Sequence, residues 1–290
     1  MTGMATRELD EIVDGFVGEV RGMDLAQGID AAQRTFLAAA HRRFPVLLLR
    51  GQQLDAEGFK RFGAVFGRFE IDRHVPQYQD GTHREIIYLT NRTGDGAPDA
   101  ASVQRGAAWH ADSTYKAAPC AHTALYALKV PSRGGGTLFA DMQRAWETLP
   151  APLRQALEGR RAKHKFSAGP AEGGTLPMSE EQDALHPPVM HPAVRRDPET
   201  GRQALYVNPL HTYGLEDMTQ AEAAALLHAV FAHGQRPEFV YHHHYRPGDV
   251  VIWDQRRTWH KAEAAYAMAE ERLLMRLKIA APDTAAASAA

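Results

Sequence analysis

Cysteine is nearly absent. Cys120 is the only one in 290 residues, which excludes an internal disulfide and a thiolate zinc site. No stretch approaches the roughly 18 uninterrupted apolar residues of a membrane helix. The opening MTGMATRELDE lacks the basic-then-apolar pattern of a secretory signal. Neither sign of charge dominates: 33 Lys+Arg against 35 Asp+Glu leave a net charge of −2, too little to gather nucleic acid or an anionic membrane. Also missing are a G-x-G-x-x-G turn ahead of a helix, a Walker A loop and a G-x-S-x-G elbow. Together these absences predict a cytoplasmic protein that engages neither nucleic acid nor membrane. Histidine, by contrast, is plentiful, with 15 residues.

Hydrophobic periodicity organises the chain. Residues 1–12 are polar and read as a flexible N-terminus. Phe36, Leu37, Ala40 and Phe44 recur at helical spacing up to Pro45, and Val46–Leu49 is a buried-strand run. Asp55 opens a second helix whose Phe59, Phe62 and Phe66 form a core stripe. Short strands are predicted over 86–91, 109–115, 122–130, 137–141, 193–195, 204–207, 239–245, 250–253 and 272–279. A helical interval is predicted from Met142 to about Lys165. Thr219 with Glu222 reads as a capping box for another helix. The segment 169–188, rich in Gly, Pro and acids, reads as a long loop and a candidate lid. Many short strands with few helices between them favour a mainly β (α+β) chain, a barrel or sandwich with helices added outside. No internal repeat or linker-like composition break appears, so a single domain over 13–281 is expected, with a disordered tail at 282–290.

Three histidine clusters invite a metal reading. In His110-Ala111-Asp112, a strand would place both side chains on one face about 6.6 Å apart. His260 follows the turn and apolar strand Pro247–Asp254 and could supply a third donor at the same rim. Two imidazoles and one carboxylate form a facial triad suited to non-haem Fe(II). Taken alone, His260 fits a hydrogen-bonded rim histidine better than a ligand. In His242-His243-His244, adjacent strand residues alternate faces, so all three cannot converge, and a surface or rim position is expected. His186, His191 and His211 lie beside prolines or in turns and are assigned no role. Arg272 and Arg276 share one face of an otherwise apolar strand, about 13 Å apart. Facing inward they would need anionic partners; both facing outward is the competing reading.

These pieces, in this order, resemble the TauD/TfdA family of Fe(II)- and 2-oxoglutarate-dependent dioxygenases along nearly the whole chain. The resemblance rests on Trp109–Tyr115, Gly134-Gly135-Gly136-Thr137 with Phe139–Met142, and His191-Pro192. It continues through Pro198–Arg202, Gly248–Asp254, His260 and the Arg272/Arg276 pair. Two departures are visible: Gln255 stands where the family usually has Asn, and the spacing from His260 to Arg272 is one residue longer than usual.

The resemblance implies a double-stranded β-helix (a cupin-like jelly roll) in which His110, Asp112 and His260 hold iron. It further implies that Thr137 and Arg272 receive the distal carboxylate of 2-oxoglutarate and that Arg276 holds the acid of the primary substrate. The implied reaction consumes O2 and 2-oxoglutarate, releases succinate and CO2, and hydroxylates a small carboxylate or sulfonate. The Trp109–Tyr115 wording is closer to the aryloxyalkanoate branch than to the taurine branch. Family members are often homo-oligomers, dimers or tetramers. Two rival readings stand beside this one: a zinc barrel enzyme, hydrolase or isomerase, with the same triad, and a non-catalytic barrel that binds small acids.

Overall fold

The computed structural model describes residues 7–72, 75–171 and 179–281. The chain opens with strands β1 (Glu8–Val13) and β2 (Val17–Arg21), helix α1 (Ala31–Arg43), β3 (Val46–Leu49) and α2 (Ala56–Gly63). Next come β4 (Arg68–Glu70), β5 (Ile87–Thr90), α3 (Ala100–Val103), β6 (His122–Lys129) and β7 (Thr137–Asp141). The central part holds α4 (Met142–Glu147), α5 (Ala151–Leu157), β8 (Arg161–His164) and α6 (Glu180–Ala184). It continues with β9 (Val189–Pro192), β10 (Val194–Arg196), β11 (Gln203–Leu205) and β12 (Thr212–Leu215). The chain closes with α7 (Gln220–Gly234), β13 (Val240–His243), β14 (Val250–Asp254), β15 (Thr258–Ala262) and β16 (Leu273–Ala280).

This is a mixed α+β fold. The main sheet runs β1-β2-β3-β14-β6-β16-β4, with β5 also on β16, and a three-stranded sheet runs β13-β7-β15. All these pairings are antiparallel except β2–β3, which α1 connects, as a parallel crossover requires. Strand alternation assigns the layers. Leu47 and Leu49 pack with Leu37, Phe59 and Phe62 from α1 and α2. Val46 and Leu48 face the other way, toward Phe139 and Trp253, so both faces of β3 are buried and its sequence is an unbroken apolar run. In the smaller sheet, Phe139 points back between the sheets, while Ala140 and Trp259 pack outward with Val230 and Phe231 of α7. Each fully buried large side chain contributes on the order of 1.5–3 kcal/mol. The functional residues lie between the two sheets.

Asp30 and Asp55 cap α1 and α2, and the Thr219–Glu222 capping box is formed. The Phe59/Phe62/Phe66 stripe is buried. Three expectations need correction. The N-terminus is not wholly loose: Glu8–Val13 pair with β2 despite their polarity, because an edge strand offers backbone partners and Leu9 packs on the core. The interval 142–165 is two short helices followed by strand β8; Pro150 ends the first run and Gly159, at φ +73°, the second. Part of the expected loop 169–188 is helix α6, while residues 172–178 and the expected tail 282–290 lie outside the described residues. Among the described residues no helix is long and apolar enough to cross a membrane.

Several histidines are structural. His41 Nε2 and His122 Nδ1 share a hydrogen bond at 3.0 Å in the core, and His164 lies beside Thr212. Burial pushes the His122 imidazole down to about 4 and that of His164 to about 3. Both are neutral when folded but take up protons below about 6.5 when unfolded. Their stability contribution is therefore complete above that pH and is lost as pH falls toward 4 and then 3. Each such proton gives a slope of about 1.4 kcal/mol per pH unit inside its window. The urea midpoint is expected to hold near pH 7–8 and to drop steeply between pH 6.5 and 4; a flat midpoint across that window would contradict this assignment.

Candidate active site

His110 and His260 meet through the backbone. Each amide donates to the other's carbonyl, at 3.0 and 2.8 Å, a single antiparallel bridge that sets the two rings 4.1 Å apart. The expected strand 109–115 is not formed beyond that bridge. The chain turns at Asp112, with Ser113 at φ +61°, and it is this turn, not strand alternation, that carries the carboxylate back to the imidazoles. Asp112 Oδ1 lies 3.5 Å from His110 Nε2, and Oδ2 lies 3.9 Å from His260 Nε2. All three residues are buried, and one donor atom from each falls within 4.8 Å of the others.

Neighbours hold the donors in place. The His110 Nδ1–H donates to the Ala108 carbonyl at 2.7 Å, which leaves Nε2 as the free lone pair. Gln255 grips Asp112 at two points: its Oε1 accepts from the Asp112 amide and its Nε2 donates to Oδ2, both at 2.8 Å. The Thr123 hydroxyl donates to the same Oδ2 at 2.7 Å. Gln255 is aimed there because Asp254, at the end of β14, takes three hydrogen bonds from Arg256, two from the guanidinium and one from the amide, and one from Arg257. Arg257 in turn donates to the His41 and Arg42 carbonyls of α1, which pins the turn. Burial opposes ionisation of Asp112, but the two facing imidazoles and the charge of Lys278 overcome it and hold the carboxyl well below its usual range. Burial pushes the His260 imidazole well down, so the ring is neutral and one of its two nitrogens keeps a lone pair. Two imidazole nitrogens and one carboxylate, with no thiol among them, fit Fe(II).

The triad opens on a cavity of about 170 Å³ that Thr137, Arg272 and Arg276 also line. All six sequence-predicted residues therefore share one site. Thr137, the first residue of β7, is buried, and its hydroxyl lies 3.0 Å from that of Tyr245. Arg272 is also buried; its Nε donates to the Gly135 carbonyl at 2.7 Å, and its amide to Asn91 Oδ1. Gly135 sits at φ +69°, and a Cβ there would lie 2.7 Å from Pro131 and 3.2 Å from the Arg272 side chain, so the turn can press on Arg272 only as glycine. Among the described residues Arg272 forms no ion pair with a carboxylate, and burial pushes its guanidinium down. A buried cation in this state calls for an anionic ligand.

Arg276 differs from the expectation of a bare anion receptor. Its Nη2 donates to Asp72 Oδ2 at 2.8 Å, and Lys278 Nζ donates to the same oxygen at 3.0 Å. Sequence reading missed Lys278, although alternation along β16 puts it on the face of Arg276. Also missed was Arg105, which lines the cavity from the turn after α3. Its guanidinium stacks 3.9 Å over the Tyr78 ring and donates to the Thr90 carbonyl, while burial pushes its pKa down. His211, which had no assigned role, borders the cavity with its ring edge-on to His110 at 6.3 Å. Cys120 is a buried filler; burial raises its thiol to about 12, which keeps it inert.

Residues 7–278 match the model of the "Taurine catabolism dioxygenase TauD, TfdA family". The chain is 30% identical to pentalenolactone F synthase of Streptomyces arenae, over 88% of this chain and 89% of that protein. It is also 30% identical to the alpha-ketoglutarate-dependent 2,4-dichlorophenoxyacetate dioxygenase of Burkholderia sp. (strain RASC), over 85% of each. The crystal structure of AAD-2 in complex with Mn(II) and N-oxalylglycine superposes with a TM-score of 0.82 at 26% identity, covering 96% of this chain and 98% of that one. With its His/Asp/His centre, the chain belongs to the TauD/TfdA family and is an Fe(II)- and 2-oxoglutarate-dependent dioxygenase.

Proposed function

We propose that this enzyme hydroxylates a small organic acid with an apolar body, an aryloxyalkanoate-type carboxylate being the leading class. One observation carries the reading: three metal donors and a buried Arg272 with no carboxylate partner among the described residues line one cavity. His110, Asp112 and His260 would hold Fe(II), and Thr137 and Arg272 would receive the distal carboxylate of 2-oxoglutarate. When bound, the iron would let O2 act as the oxidant, with two electrons coming from the oxidative decarboxylation of 2-oxoglutarate to succinate and CO2 and two from the substrate that is hydroxylated. The protein's own task is orientation and charge matching. Arg276 and Lys278 share the single carboxylate of Asp72, so positive charge is in excess on that wall, and Arg105 adds to it. Leu89, Val103, Leu125, Phe166 and Leu210 line the rest of the cavity, which suits an acid whose other end is apolar. The names of the 2,4-dichlorophenoxyacetate and (S)-phenoxypropionate dioxygenases among the relatives support the same substrate class. In the same reading the two facing sheets wrap as a double-stranded β-helix within a single catalytic domain.

The test is a screen of aryloxyalkanoates, other carboxylates and sulfonates for stimulated succinate formation. Stimulation that requires Fe(II), O2 and 2-oxoglutarate supports the proposal. Turnover of any of these acids without oxygen, with zinc bound, would overturn it.

Gln255 offers a separate check on the centre. In Gln255→Leu, Asp112 Oδ2 keeps only the Thr123 hydroxyl and the Asp112 amide loses its acceptor. Fe(II) affinity is expected to fall about 10- to 100-fold, read by anaerobic metal titration, with Gln255→Asn intermediate. Unchanged affinity in Gln255→Leu would mean that Asp112 does not depend on this grip.

A further inference from the structure

The three consecutive histidines at the end of β13 and just past it divide between two faces. His243 turns inward and is buried opposite Thr137, while His242 and His244 point to the other side with their ring centroids 3.9 Å apart. Glu263, just past β15, follows the same alternation: Ala262 is paired with Thr137, and Glu263 falls beside Gly136, its amide donating to the Gly136 carbonyl at 3.0 Å. β13 and β15 are not neighbours, because β7 runs between them. Side chains two strands apart, roughly 10 Å at the backbone, meet only if the strand between them presents none.

Gly136 provides that gap. A Cβ there would lie 2.9 Å from His242 Nε2 and 3.2 Å from Glu263 Oε2. Across it, His242 Nε2 approaches Glu263 Oε2 to 3.0 Å, and the Gly136 amide donates to the same oxygen at 3.1 Å. One donor atom each from His242, His244 and Glu263 fall within 4.8 Å of one another. His244 is exposed and the other two are half-buried, so an ion can enter from solvent.

We infer that His242, His244 and Glu263 form a second metal site, separate from the catalytic triad, for a borderline divalent ion of the Zn²⁺, Ni²⁺ or Cu²⁺ type. Two imidazoles and a carboxylate with solvent on the open side match the ligand preferences of these ions, whereas Mg²⁺ and Ca²⁺ prefer all-oxygen sites. A bound ion would tie the end of β13 to the end of β15 across Gly136, the residue before β7, stapling the sheet end that carries Thr137. The role is stabilisation, and the inference does not depend on the reaction proposed above.

Zn²⁺ is the probe. Metal-free wild-type protein is expected to bind two Zn²⁺ per chain, His244→Ala one, and Asp112→Ala one, with each site at micromolar affinity or better. At a hundredfold excess over Kd, the melting temperature of Asp112→Ala should rise by about 5 °C, and the Asp112→Ala/His244→Ala double variant should show no rise. His244→Ala should keep its Fe(II)-dependent turnover. Equal Zn²⁺ stoichiometry in wild type and His244→Ala, or binding at this site weaker than millimolar, would overturn the inference. If Asp112→Ala fails to fold, the wild-type and His244→Ala stoichiometries decide alone. A wild type that binds only the His244-dependent Zn²⁺, with the same stoichiometry in Asp112→Ala, would instead count against the catalytic triad.

Discussion

Replacing Asp112 with alanine is expected to strip iron from the enzyme and to cut 2-oxoglutarate decarboxylation on the order of 10³-fold or more, the size of loss seen when one member of a jointly acting set is removed. Asp112 is the only anionic donor of the triad, and it faces both imidazoles. Without it, two imidazole nitrogens would have to hold a divalent ion alone. The fold should survive, because Gln255 Nε2 still donates to the Thr123 hydroxyl at 2.8 Å and the turn remains anchored by Asp254. Iron content, succinate release and the urea midpoint, measured on one preparation, separate the outcomes. Near-normal iron with full decarboxylation would show that the metal sits elsewhere.

The second large effect concerns stability. Asp72 is the shared acceptor of Arg276 and Lys278, and Lys278 is buried. Burial alone would push the Lys278 ammonium down, yet the charge of Asp72 outweighs it and holds its pKa above the ordinary value. Asp72→Asn leaves a buried ammonium without its counter-charge, a loss of about 3–5 kcal/mol. The sign with pH follows. In the variant the folded pKa of Lys278 is depressed below its unfolded value, so the penalty is full at pH 7 and eases as pH rises toward 10. Adding Lys278→Met should restore much of the loss by removing the stranded charge. Urea denaturation of the three variants at pH 7 and 9.5 reads this directly; a loss below about 1 kcal/mol in Asp72→Asn would show that solvent or another acid already neutralises the pair.

The metal centre was legible in the sequence to an unequal degree. His260 follows a strand whose apolar run is unmistakable, and its delivery between the sheets follows from that strand. Asp112 does face the two imidazoles, but not by the local picture that singled it out: the i, i+2 spacing suggests a strand, whereas a left-handed residue at Ser113 makes the turn that aims the carboxylate. Gln255 stood out as a departure from the family wording, but its partner is 143 residues away, and nothing local announces that contact. Arg105 and Lys278 look like ordinary turn and strand residues until β16 and the segment after α3 close on the same space. The N-terminal strand was missed because its stabilisation comes from backbone pairing with β2, to which side-chain periodicity is blind. His242 and His244 show the same limit. The alternation rule correctly kept three histidines from converging, but the gap at Gly136 that lets two of them reach Glu263 exists only once three strands lie side by side.

The most direct test of the whole account is anaerobic addition of 2-oxoglutarate to the Fe(II)-loaded protein, monitored for the weak visible charge-transfer band of an Fe(II) chelate. The wild-type enzyme should develop the band at one equivalent of iron, His260→Ala should show none, and Arg272→Leu should need at least about tenfold more 2-oxoglutarate, the cost of losing a charge-assisted contact. No band in the iron-loaded wild type, or the same half-saturation in Arg272→Leu, would contradict it.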